Sequence, residues 1–300
     1  MIVYLRGLLA FQGLLAATLT WAFWSDERAF LTAVVMAALI VMAIDFALTA
    51  LTIVLSRAYA GPTRPDLKAG LWGGVRLLFE EFLAAVALIR VVMPFESFWM
   101  GSDDAGSDPR GRPPVLLAHG YVCNRGFWFW LRGKLRAEGL RVATISFDPP
   151  FTDIDRFADN LHERIEKLVA ETGAAQVSLV AHSMGGLVSR AYMRRYGAGR
   201  VARLITLGTP HAGTRIASLG LGPNARQMRV GSPWLAELGA AAPPVPTLAV
   251  WSAHDTIVAP QENARLPGAR EIALSGLGHL AMAISPRILN ILRDELRGDA

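Results

Sequence analysis

Three residues stand out as groups able to do chemistry together: Ser183, Asp255 and His279, in that chain order. Ser183 lies in Ala181-His182-Ser183-Met184-Gly185-Gly186, between a buried-strand run at 177–181 and a helix-patterned run near 184–196. A serine hydroxyl is a weak nucleophile until a base takes its proton. A tight strand-to-helix turn pushes such a hydroxyl out of the sheet, and the small residues Ala181 and Gly185 let the backbone make that turn. His279, in Gly276-Leu277-Gly278-His279-Leu280, follows the last strand-like run. An imidazole of near-neutral pKa can take the serine proton and return it. Asp255 lies in Trp251-Ser252-Ala253-His254-Asp255-Thr256-Ile257-Val258, just past a strand. A carboxylate there fixes the imidazole tautomer and stabilises the imidazolium. In His119-Gly120-Tyr121 the glycine turns the next amide inward. The Tyr121 and Met184 N–H groups are thus the candidate oxyanion donors, each worth about 3–4 kcal/mol to a transition state. Each feature alone has a plainer reading: Ser183 as a cap, His119 as a packed turn residue, Asp255 and His279 as solvated loop residues. All of them at strand ends is the pattern that points to chemistry.

Other groups compete for these roles. His182 adjoins the serine but points elsewhere in a tight turn; His211 and His254 follow strands, and His162 lies on a helix. None has the Gly-His position after the final strand. Asp148, after the second strand, is a weaker acid candidate, and His119 is expected to be structural. The single cysteine, Cys123, excludes an intrachain disulfide and suggests no Cys-based metal site. No metal or organic cofactor is called for.

The elements that must position these residues read as alternating strands and helices. Strand runs fall at 115–118, 142–147, 177–181, 201–207, 247–251 and 271–274. Between them lie helical patterns at 124–138, 153–171 and 184–196, with a last one at 285–297. In the second of these, Ile154, Phe157, Leu161, Ile165 and Leu168 recur at helical spacing. The expected fold class is α/β: a compact, mostly parallel sheet with helices on both faces, over residues 113–300. Ligands of such sheets bind at the carboxyl ends of the strands, where the polar motifs fall.

Residues 1–100 are different. The chain is 52% hydrophobic with a mean hydropathy of +0.33, and the apolar excess is concentrated in residues 1–24 and 30–56. Each run is long enough to cross about 30 Å of hydrocarbon. The short polar break Ser25-Asp26-Glu27-Arg28 between them suggests a transmembrane helical hairpin, with Trp21 and Trp24 at the interface. A cleaved signal peptide is the competing reading of residues 1–24. It is disfavoured by a nearly uncharged start, a long apolar run and a second run at once after it. Asp45 is costly in lipid and should pair within the hairpin or face water. Residues 71–95 are apolar but interrupted by Arg76, Glu80, Glu81 and Arg90. Arg76 and Glu80 can pair on one helix face, and the adjacent carboxylates favour an interfacial helix over a third span. If this segment does not cross, Arg57, Arg64 and Lys68 mark the catalytic side as cytoplasmic; if it crosses, the catalytic domain faces outward. The expected localisation is a multi-pass cell-membrane protein. Residues 101–112 read as a linker rich in Gly, Ser, Asp and Pro.

The net charge of +5 is spread along the chain, with no dense basic run carrying interleaved aromatics. Nucleic acid is therefore not an expected partner, and a lipid membrane is.

On His119-Gly120, Ala181-His182-Ser183-Met184-Gly185-Gly186, Gly208-Thr209-Pro210-His211, Asp255 and His279, residues 113–297 resemble bacterial lipases and esterases of the α/β-hydrolase superfamily. The order Ser, Asp, His is the one that superfamily uses. Ala181 departs from the commoner glycine, as it does in some small lipases. The resemblance implies hydrolysis of a carboxylic ester, with a lipid or other hydrophobic acyl ester as substrate, through an acyl-enzyme. Two alternatives stay open: a lipid acyltransferase with the same triad, and a non-catalytic membrane adaptor on a hydrolase scaffold. Residues 213–245 are long enough for a small lid over an acyl pocket, or for a surface helix with buried apolar positions. Phe127, Trp128, His211 and Trp234 are the candidate substrate-binding residues.

Overall fold

The computed structural model describes residues 1–24, 29–61, 67, 70–103, 105 and 111–298. The polar break Ser25–Arg28, the basic residues Arg64 and Lys68, and positions 104 and 106–110 of the expected linker lie outside the described residues.

Two long apolar helices open the chain: α1 (Ile2–Phe23) and α2 (Phe30–Ala58). They pack against each other. Only 6% of the most apolar window of α1 and 17% of that of α2 is buried by protein. A core helix would be mostly covered, so both helices leave most of their apolar surface bare of protein, and both are long and apolar enough to cross a membrane. Helix α3 (Leu71–Ala85) follows and runs on through a π-helical stretch, Val86–Val92, into a tight turn at Met93–Phe95. Pro94 there can donate no backbone hydrogen bond. A short α4 (Glu96–Met100) completes the region.

The remainder is a six-stranded sheet, parallel at every pairing, in the order β2-β1-β3-β4-β5-β6. The strands are β1 (Val115–Ala118), β2 (Val142–Ile145), β3 (Val177–His182), β4 (Val201–Leu207), β5 (Thr247–Ser252) and β6 (Arg270–Leu274). Every residue of β1, β2, β3 and β5 is buried, as near-continuous apolar strands covered on both faces must be. The sheet is flanked by α5 (Phe129–Ala137), α6 (Ile154–Thr172), α7 (Met184–Tyr196) and α10 (Pro286–Arg297), while α8 (Gly222–Gln227) packs on α6 and α9 (Pro233–Gly239) on α7. Helix α6 shows why its sequence folds this way. The Asp153 carboxylate caps its first turn by accepting from the Arg156 amide at 2.8 Å, and Gly173 ends it at φ 66°. Its apolar stripe, including Phe157, Leu161 and Ile165, is fully buried.

Besides a small third cluster around Trp251 of β5, two large apolar clusters line the sheet. One joins α6 and α7 to strand residues such as Leu116 and Leu179. The other joins α5 and α10 to Leu117, Val180 and Ile205, and takes in Leu5, Ala84, Leu88 and Met93 from the N-terminal region. Parts of the N-terminal region are thus built into the core beside the sheet. The Arg6 Nε donates to the Pro94 carbonyl at 3.0 Å. Arg76 and Glu80 form the i,i+4 pair that their spacing suggests, at 2.6 Å. Glu81, expected with Glu80 to hold the segment at a membrane interface, is instead buried against protein and hydrogen-bonded there. Asp45 accepts from Gln12 Nε2 of α1 at 3.4 Å, within the hairpin as expected, and is also ion-paired with Arg90 from outside it.

Candidate active site

Ser183 stands between the end of β3 and the start of α7 with φ 55° and ψ −125°. A non-glycine residue at positive φ is uncommon and strained, and such strain gathers at functional turns. Close packing holds the turn. A Cβ on Gly185 would lie 2.5 Å from the Ala118 carbonyl oxygen, and one on Gly120 would lie 2.7 Å from the Ser183 Cβ. The loop after β1 therefore presses directly on Ser183. The Met184 amide heads the first turn of α7, where N–H groups have no intrahelical acceptor. Tyr121 lies in the neighbouring loop, on the wall of the same pocket as Ser183.

His279 and Asp255 meet at 2.9 Å, Nδ1 to Oδ2. The other carboxylate oxygen of Asp255 accepts from the Ile257 and Val258 amides at 2.8 and 2.7 Å. With Asp255 1% exposed and acceptor-only, His279 Nδ1 must be the donor, which leaves Nε2 as the free nitrogen. Burial pushes the His279 pKa down, but the charge and hydrogen bond of Asp255, with the charge of Glu81, outweigh it. The net direction is up from 6.5.

Burial lowers the pKa of His119, His182, His211 and His254 below 6.5. Burial pushes His182 well below the usual range. Its ring stacks on Phe127 at 4.3 Å and its Nε2 donates to the His279 carbonyl at 3.1 Å. His182 thus braces the backbone of His279. Burial lowers His119 to about 4; its Nε2 accepts from the Phe147 amide at 3.0 Å. His211 lies between Arg190 and Thr206, and burial, with the Arg190 charge, drives its pKa well down. His254 accepts from the Gly276 amide, and His162 stacks on Tyr196. Asp148 binds the chain's amino terminus at 3.1 Å.

Ser183 and His279 face a cavity of about 400 Å³. Its wall is mostly apolar: Leu8 from α1, Leu48 from α2, Ile89 and Met93 from the segment after α3, with Ile257 and Leu280. A polar group of Gln12, Asp45 and Arg90 is set into that wall. Arg90 donates to both the Asp45 carboxylate and the Gln12 carbonyl oxygen, tying α1, α2 and the π-helical stretch together. The roof over Ser183 is therefore made by the N-terminal helices.

This arrangement corrects four of the expected substrate contacts. Phe127 and Trp128 are fully buried in the core beneath His182 and do not reach the cavity. His211 is occupied by Arg190 and Thr206. Trp234 bonds Asp155 through its indole N–H at 2.7 Å and sits beside Arg194, away from Ser183. Of the two readings of 213–245, the structure favours helices with buried apolar positions over a lid: no residue of the segment lines the cavity. Met228, Leu235 and Leu238 are apolar because they pack on the cluster under α6 and α7. The segment's tie to the site is the Tyr121 hydroxyl, which donates to the Leu221 carbonyl and accepts from its amide, both at 2.8 Å. Sequence reasoning passed over Gln12, Asp45, Glu81 and Arg90 as cavity residues. The available signal for Asp45, Glu81 and Arg90 was a charge placed inside an apolar run. Among the described residues, no group of three or more His, Cys, Asp or Glu side chains is arranged to hold a metal ion.

Residues 113–225 match the family model described as the alpha/beta hydrolase fold. A triacylglycerol lipase from Pseudarthrobacter phenanthrenivorans is 32% identical over 114 residues, 35% of this chain and 35% of that protein. One from Burkholderia plantarii is 32% identical over 114 residues, covering 35% and 32%. The match thus spans about a third of the length of these curated relatives. The crystal structure of a Bacillus licheniformis lipase in its mature form superposes with a TM-score of 0.57 at 19% identity, over 65% of this chain and 96% of that one. The chain has the α/β-hydrolase fold, and its likenesses lie among lipases and esterases.

Proposed function

We propose that this chain is a membrane-anchored serine hydrolase that cleaves carboxylic esters with a hydrophobic acyl part. The observation that carries the reading is the cavity itself. A strained serine and an aspartate-bound histidine open into a chamber whose roof is two helices apolar enough to cross a bilayer. The triacylglycerol lipase relatives support an acyl-ester substrate.

In the proposed reaction Ser183 Oγ attacks the ester carbonyl as His279 Nε2 takes its proton. The Tyr121 and Met184 amides hold the oxyanion. Collapse of the adduct expels the alcohol, which takes the proton from His279 and leaves an acyl group on Ser183. Water, activated by the same imidazole, then releases the acid. Asp255 keeps Nε2 directed at the cavity and offsets the positive charge formed on His279.

Residues 1–100 form the anchoring region in this reading and residues 113–300 the catalytic unit, with α1 and α2 as the spans. Arg57, in the last turn of α2, favours the cytoplasmic face for the catalytic unit. A substrate resident in the bilayer would reach Ser183 past Leu8 and Leu48. Turnover of p-nitrophenyl esters of graded chain length by the full chain in detergent tests the reading. A chain-length optimum that vanishes in Ser183→Ala supports it, and equal turnover by Ser183→Ala overturns it.

A further inference from the structure

Helix α3 delivers a carboxylate to the loop that carries His279. Glu81 is 3% exposed. Its Oε1 accepts from the Thr256 hydroxyl at 2.7 Å and from the Leu280 amide at 2.9 Å. Its Oε2 accepts from the Ala281 amide at 3.0 Å. The Thr256 hydroxyl oxygen in turn accepts from the His279 amide at a longer 3.4 Å. Three consecutive amides, 279 to 281, are therefore tied to one side chain, two directly and one through Thr256. The approach is close enough to forbid a side chain at Gly278, whose Cβ would lie 2.2 Å from Glu81 Oε2. Thr256 follows Asp255 in the chain, so the same carboxylate reaches both loops that meet in the histidine–aspartate pair.

We propose that Glu81 is a positioning residue for His279, so that the docked N-terminal helix region is a working part of the catalytic site and not only an anchor. The proposal rests on the serine hydrolase reading above. Every donor around Glu81 suits an acceptor-only carboxylate. Burial is the largest influence and leaves the Glu81 pKa raised above 4.5, although the Thr256, Leu280 and Ala281 hydrogen bonds and the nearness of His279 each lower it and favour the carboxylate. The groups that face His279 are Asp255, Glu81 and the neutral ring of His182, whose centroid is 4.4 Å away. Arg90 and Asp45 line the same cavity as an ion pair. On α3 itself the adjacent Glu80 is engaged by Arg76. Glu81 thus acts twice: its hydrogen bonds set the position of the imidazole, and its charge favours the imidazolium.

The two actions separate in experiment. In Glu81→Gln one oxygen becomes an NH2 group, which sets a donor against a backbone donor and removes the charge. In Thr256→Val the charge stays and one bond is lost. Gly278→Ala forces the carboxylate away. The test is the rate of Ser183 labelling by a fluorophosphonate against pH, on the full chain in detergent, with melting temperature read in parallel. For Glu81→Gln the expected result is labelling slowed by about 10- to 100-fold, as small misplacements of a base do. Its acid limb should move to lower pH, because a negative charge beside the imidazole is gone. Thr256→Val should be slower with an unmoved limb. A folded Glu81→Gln protein with wild-type rate and wild-type limb overturns the proposal. If Glu81→Gln does not fold, wild-type labelling rates in folded Thr256→Val and Gly278→Ala overturn it instead. Absence of labelling in the wild type would refute the serine hydrolase reading itself, which keeps the two failures apart.

Discussion

Asp45 on the second apolar helix is ion-paired with Arg90 on the π-helical stretch, and the pair sits in the wall of the cavity that holds Ser183. Both side chains are 16% exposed. Breaking a buried pair on one side leaves an unmatched charge and costs about 3–5 kcal/mol, whereas replacing both partners by apolar groups is often neutral. Asp45→Ala should therefore lower the melting temperature of the detergent-solubilised chain sharply. Asp45→Leu combined with Arg90→Met should restore most of it. Additive losses in the double variant would mean that the pair does not hold the roof.

The pH dependence of turnover follows from His279. Its pKa lies above 6.5 because Asp255 and Glu81 outweigh the effect of burial. The base must be neutral to work, so kcat/KM should rise with pH through a midpoint above 6.5. The stability contribution runs the other way. A histidine whose pKa is raised by folding stabilises the protein fully below its unfolded value, and that contribution is lost as pH rises through the folded value. Asp255→Asn should reduce kcat by about 10⁴-fold, as loss of the correct tautomer does in the serine protease triad. A pH–rate profile of that variant, where activity suffices, should show its acid limb at lower pH.

Chain-length preference should respond to the roof and not to the 213–245 segment. Ile89→Trp places a larger ring in the cavity wall and should shift the ester optimum to shorter chains. Trp234→Ala removes a side chain that packs beside Arg194 and Asp155, and should leave the optimum unchanged. Assays on the graded ester series distinguish these outcomes.

Gly185 should tolerate no side chain. Gly185→Ala sets a Cβ 2.5 Å from the Ala118 carbonyl oxygen, so the turn bearing Ser183 must move. Overpacking of this kind costs about 1–3 kcal/mol, and displacement of the nucleophile should reduce kcat by at least about 100-fold. Melting and initial-rate measurements on the variant check both parts.

Much of the fold is legible in the sequence because a buried parallel strand leaves a short apolar run and a helix leaves a stripe. Helix α7 and strand β4 fall at the residues that pattern indicates. That Asp255 meets His279, and that Ser183 and His279 line one cavity, follows from each lying after a strand, because parallel strands bring their carboxyl ends to one edge. What is not legible is which surface covers that edge. The aromatic run 127–130 looks equally apolar whether it lines a cavity or fills a core, and Phe127 and Trp128 fill the core. The apolar positions of 213–245 suit a lid as well as a packed helix, and long-range packing of Leu235 and Leu238 decided for the latter. Glu81 reads as a charge interrupting an apolar helix; its donors, some 175 to 200 positions away, are a tertiary fact.

The most direct measurement is intact-protein mass spectrometry of the detergent-solubilised full chain after reaction with a fluorophosphonate, with peptide mapping of the adduct, for wild type, Ser183→Ala and His279→Ala. One adduct per chain, mapped to Ser183 and lost in both variants, is the expected result. An adduct elsewhere, or undiminished labelling in His279→Ala, would contradict the assignment of Ser183 as a nucleophile activated by His279.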